Sequence, residues 1–101
     1  MVKHVVCWQL KTDFTPDEKA QKLQLMKNAL EQLQEKIPVI RQLEVGLNDP
    51  NIDPHNYDIC FIVTFDSAYD LQHYQNHPEH VIVKDLIKSL AQTRACVDYN
   101  F

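Results

Sequence analysis

Five histidines and three cysteines carry most of the chemistry open to this 101-residue chain. His73, His77 and His80 stand four and three residues apart, with Glu79 between the last two. On one continuous helix those spacings would turn the rings toward a shared cation. Pro78 breaks that geometry, because a residue before proline is pushed out of the helical region, so no metal is expected on these side chains. Cys7, Cys60 and Cys96 make neither a CxxC nor a Cys/His zinc spacing. An odd number of thiols, each inside an apolar run, reads as reduced and buried, the usage of a cytoplasmic protein. The sole glycine, Gly46, excludes a glycine-rich phosphate loop. With no nucleophile elbow and no Cys–His motif, no cofactor is expected.

The elements that must position these groups are legible from period and punctuation. Val2 to Leu10 alternates and reads as a strand, with Val2, His4, Val6, Trp8 and Leu10 on one side. Thr15-Pro16-Asp17-Glu18 is a capping box with proline at the first helical position. Ala20, Leu23, Met26, Leu30, Leu33 and Ile37 then recur at helical spacing until Pro38. Arg41 to Leu47 alternates again, and a polar loop rich in Asn, Asp and Pro leads to a third, strongly apolar strand over Tyr57 to Phe65. Ser67 caps a short helix reaching about Gln75. Pro78 starts another, with Val81, Leu86, Ile87 and Leu90 as its expected buried stripe, and Thr93 to Tyr99 forms a last strand.

The order βαββαβ predicts an α+β, ferredoxin-like protomer over residues 1–101: a four-stranded antiparallel sheet with helices on one face. The other face would not be left wet, since Val5, Cys7, Cys60 and Ile62 point there. The simplest cover is the same face of a second copy, so the pattern predicts a homodimer. A net charge of −4 argues against nucleic acid as a partner. No apolar run approaches the ~20 residues of a membrane span, and the first residues lack the form of a signal peptide.

Several segments carry a family likeness: Val2-Lys3-His4-Val5-Val6-Cys7-Trp8, Ile37-Pro38-Val39-Ile40-Arg41 with Leu43-Glu44-Val45-Gly46, Tyr74-Gln75-Asn76-His77-Pro78-Glu79-His80-Val81, and Val97-Asp98-Tyr99. Together they resemble the stress-responsive dimeric A/B barrel (Dabb) family over essentially the whole chain. The resemblance implies two ferredoxin-like protomers whose sheets close into a dimeric α/β barrel. Members include stress-induced plant proteins, bacterial proteins of unknown activity and a plant polyketide cyclase, and the wider superfamily holds cofactor-free monooxygenases. Such a likeness fixes fold better than function.

The cyclase implies a catalytic pair at His80 and Tyr74, with His4 a third member of a ligand pocket. A neutral imidazole there would remove a proton beside a carbonyl, and the phenol would hold the base or the carbonyl oxygen. Leu30 and Ile59 stand where the cyclase has a pocket tyrosine and a pocket histidine. Two readings follow. One is a stress-response-type dimer that binds a small hydrophobic ligand without turnover. The other is a cyclase- or lyase-like enzyme acting on a small carbonyl compound. An open, apolar tunnel beside His80 would favour the enzyme, and a closed space the binding protein. His80 and Tyr74 are expected within hydrogen-bond distance of each other, with His4 adjoining.

Overall fold

The computed structural model describes residues 1–101 throughout. Strand β1 (Val2–Leu10) leads to helix α1 (Pro16–Glu31), a single turn α2 (Leu33–Lys36) and strand β2 (Gln42–Leu47). After the polar loop come β3 (Ile59–Phe65), α3 (Ala68–Gln75), α4 (Pro78–Leu90) and β4 (Ala91–Asn100). The sheet order is β2-β3-β1-β4 and every neighbouring pair is antiparallel. This is the ferredoxin-like arrangement, with all helices on one face.

Local sequence sets the boundaries. Thr15 accepts the Glu18 amide while Glu18 reaches back to the Thr15 amide, a complete capping box. The first helical region is not one rod to Ile37: it turns at Gln32, although Leu33 and Ile37 remain fully buried. Strand β3 starts at Ile59 rather than Tyr57. The Asp58 carboxylate is engaged instead with the Leu10 amide at 2.8 Å and the Lys19 ammonium at 2.8 Å, which ties the loop to β1 and α1.

The core lies between helices and sheet. Val2, Val6, Trp8 and Leu10 from β1 and Ile59, Phe61, Val63 and Phe65 from β3 meet Met26, Leu30, Leu33, Tyr74 and Ile87. Two expected core positions are different in the fold. Ala20 is exposed, and Val81 is exposed while Val83 is buried. Helix α4 begins at Pro78 after a sharp turn, and that turn sets its rotation so that Val83, Ile87 and Leu90 face inward.

The register places Val97, Val5 and Ile62 in one row across the opposite face, and Ala95, Cys7 and Cys60 in the next. Val97 and Tyr99 are exposed there. Within one chain nothing covers this apolar surface. The cysteines are free: Cys7 and Cys60 are half-buried on this face, and burial pushes the Cys60 thiol up to about 11. Cys96 is exposed rather than buried, since β4 is an edge strand that the helices reach only in part.

No helix is long and apolar enough to cross a membrane.

Candidate functional site

The break between α3 and α4 builds the site. Ser67 caps α3 by accepting the Asp70 amide, which fixes the helix so that Leu71 and Tyr74 face the sheet. Tyr74 packs against Phe65 with ring centroids 5.1 Å apart. The chain then turns: the His77 amide donates to the Tyr74 carbonyl at 3.1 Å, and His77 Nδ1 accepts the Glu79 amide at 3.1 Å as the N-cap of α4. Histidine in that capping role leaves Pro78 free to take the first helical position. His77 and His73 lie side by side, 6.4 Å between centroids, while the His80 ring is turned away to α3. The three histidines do not converge, in keeping with the break at Pro78.

His80 folds back over the break. Its ring lies 4.4 Å from that of Tyr74, tilted by 50°, and its Nδ1 is 3.0 Å from the Gln75 carbonyl. The two residues therefore meet ring to ring, and the expected hydrogen bond between them is not formed. The imidazole Nδ1–H donates instead to the Gln75 backbone carbonyl, one of the helix-end carbonyls that has no intrahelical partner. With Nδ1 donating, Nε2 is the basic nitrogen. Burial holds the His80 imidazole below its ordinary pKa, offset in part by the Gln75 carbonyl, and Lys84, His4 and Arg94 push it further down. The ring is neutral at pH 7.

His4 comes from β1, where alternation points it into the helix side; it is 4% exposed. Opposite it in the register stands Asp98 of β4, whose carboxylate is hydrogen-bonded to His4 Nδ1. In the neutral ring this again leaves Nε2 as the acceptor. The His4 and Tyr74 rings are 6.3 Å apart, edge to face.

The Tyr74 hydroxyl and His4 Nε2 have no protein partner, yet no buried polar side-chain atom in the protein is both sealed and unpaired. Both therefore open onto the adjoining space. That space is an open cleft of about 620 Å³ between α3, α4 and the β1–β4 half of the sheet. Val6, Trp8, Phe61, Val83 and Ile87 form its apolar wall. Lys84, Lys88 and Arg94 stand among its lining and no carboxylate does, although the protein as a whole is acidic. Burial raises the Tyr74 hydroxyl far above the usual phenol range, with Arg94 opposing weakly. Tyr74 is therefore a hydrogen-bond donor at neutral pH, not a base.

The structure thus brings His4, Tyr74 and His80 to one cleft. Asp98, Cys96 and Arg94 also belong to this region and are not evident from sequence. The available signal is the alternation Arg94-Cys96-Asp98 on one side of the last strand; placing it beside His4 requires the β1–β4 register.

With fold and cleft in place, the chain's class is a ferredoxin-like α+β protein with a cleft between helices and sheet. The stress responsive A/B barrel (Dabb) family matches residues 2–101, and the chain belongs to that family. A dimeric protein of unknown function and ferredoxin-like fold from Bacteroides fragilis is 40% identical, with 99% of this chain and 95% of that chain covered at a TM-score of 0.89. A dimeric ferredoxin-like protein of unknown function from Thermobifida fusca is 23% identical, covering 99% and 90% at 0.83. The hydroxynitrile lyase from Passiflora edulis is 15% identical, covering 97% and 90% at 0.79, a likeness of fold alone. Among curated proteins none matches this chain.

Proposed function

We propose that this protein is a homodimer whose helix–sheet cleft binds a small, mostly apolar compound bearing a carbonyl oxygen. One observation carries the reading: the Tyr74 hydroxyl and the Nε2 atoms left free on His4 and His80 belong to groups lining one largely apolar cleft. A ligand carbonyl accepts from Tyr74, the apolar body lies against Trp8, Val83 and Ile87, and the cationic rim favours negative charge on the ligand oxygen. The dimer rests on the uncovered apolar sheet face and on the dimeric relatives.

A second reading, proton abstraction beside that carbonyl, is favoured by His80. Its ring is neutral at pH 7, and the Gln75 carbonyl fixes its tautomer so that Nε2 is a base. The proton passes from the ligand α-carbon to Nε2, and the enolate oxygen is held by Tyr74 and by the field of Arg94. The cleft beside His80 is open, with apolar side chains on its wall and Lys84, Lys88 and Arg94 among its lining. Its openness supports the cyclase- or lyase-type reading, although the cleft is not an apolar tunnel. The Passiflora edulis protein is a hydroxynitrile lyase on the same fold, so the fold hosts lyase chemistry.

The two readings separate in a single experiment. A panel of small ketones and aldehydes is titrated into labelled protein in D2O, with side-chain shifts and ligand deuteration followed together. Binding is expected to move the resonances of Tyr74, His80, Val83 and Ile87. Abstraction adds α-deuteration that His80→Ala abolishes. A panel that leaves the cleft resonances unmoved overturns the carbonyl reading.

A further inference from the structure

Beside the cleft, on the edge of the sheet, three side chains of different ligand types converge. His4 Nδ1, Cys96 Sγ and an Asp98 carboxylate oxygen all lie within 4.8 Å of one another. Cys96 Sγ is 3.6 Å from His4 Nδ1 and 3.7 Å from Asp98 Oδ1. Around a tetrahedral zinc ion, with bonds of about 2.0–2.3 Å, neighbouring ligand atoms stand about 3.5 Å apart. The two sulfur edges already have that length. The remaining edge is a hydrogen bond, and a small rotation of Asp98 on its exposed strand opens it.

We propose that His4, Cys96 and Asp98 bind a borderline divalent transition metal of the zinc class, with a fourth position open to water or to a ligand. The register supplies the convergence. Asp98 is paired with His4 across β1–β4, Cys96 sits two residues earlier on the same side, and alternation turns all three toward the helices. His4 is buried and held in place, while Asp98 and Cys96 are exposed, so an ion reaches the site from solvent. A thiolate and a carboxylate neutralise the dication, and nitrogen with sulfur selects it over calcium or magnesium. The metal site needs no ligand in the cleft, although both readings use His4.

Binding has a proton balance. The Cys96 thiol gives its proton to solvent as the S–metal bond forms. Starting from the neutral ring, the His4 Nδ1 proton is displaced by the metal and one is carried on Nε2, so His4 contributes no net proton. One proton is released per metal, and the His4 nitrogen on the cleft side changes from acceptor to donor.

The test is cobalt(II) titration of the reduced full-length protein, read by absorption and by calorimetry in two buffers of different ionisation enthalpy. We expect one cobalt per chain, a thiolate-to-cobalt charge-transfer band, tetrahedral visible bands and one proton released. Cys96→Ser is expected to remove the charge-transfer band and weaken binding roughly tenfold or more. Asp98→Asn should weaken it, and the double variant His55→Ala/His73→Ala, at exposed positions, should leave it unchanged. Both ligand substitutions are on an exposed strand, so folding is retained. Binding without the thiolate band, a band that survives Cys96→Ser and disappears with Cys7→Ser, or no stoichiometric cobalt at all would each overturn the proposal.

Discussion

Tyr74 is the residue at which structure and function separate most cleanly. Its ring is a core element against Phe65 and His80, and its hydroxyl bonds to no protein group. Tyr74→Phe should therefore leave stability within about 0.5 kcal/mol, since no intramolecular hydrogen bond is lost, while weakening ligand binding. Tyr74→Ala should cost about 3–5 kcal/mol through the cavity it leaves. Chemical denaturation of the two variants checks both values. For His80 the sign follows from burial. The folded chain holds the imidazole pKa below its ordinary value, so the unfolded chain binds the proton more readily. The contribution is fully present above about pH 6.5 and is lost as pH falls through the lowered folded value. Stability of the wild type should decline across that acidic window more steeply than that of His80→Asn, as urea titrations at a series of pH values will report.

At the scale of elements, local signals determined most of the outcome. The Thr15 capping box, Ser67 and Pro78 each start a helix where the sequence places one, and the alternation of β1 runs without error from Val2 to Leu10. What local pattern lacks is rotation and register. Val81 and Val83 are equally apolar, and only the turn through His77 and Pro78 determines which faces the core. Val83→Ala should cost about 2 kcal/mol and Val81→Ala no more than about 0.5 kcal/mol, a comparison that thermal unfolding resolves directly. The cleft was half legible. His4, Tyr74 and His80 are visible as residue types, but the preference of His80 for the Gln75 carbonyl depends on how the chain folds back after α3. Asp98 and Cys96 belong to the region only because β4 pairs with β1 in one register.

At the scale of the whole molecule, the sheet has one face too many. Val5, Ile62 and Val97 form an apolar row with no cover from the chain's own helices, and relatives of the same fold are dimers. Val5→Glu places a charge in the middle of that row. Light scattering should show wild type as a dimer at tens of micromolar, and the variant as monomer or aggregate. A wild-type monomer at that concentration would refute the dimer.

Two imidazoles, each held through its Nδ1, offer Nε2 to one cleft beside the Tyr74 hydroxyl. Long-range ¹H–¹⁵N spectra of the histidine rings test it most directly, because ring nitrogen shifts report tautomer and charge residue by residue. At pH 7 His80 should be a neutral ring protonated at Nδ1, still neutral somewhat below pH 6.5, and His4 should carry its Asp98-bonded proton on Nδ1. Both Nε2 signals should move when a bound carbonyl compound fills the cleft. A His80 ring that averages between tautomers and titrates like a free histidine would contradict it.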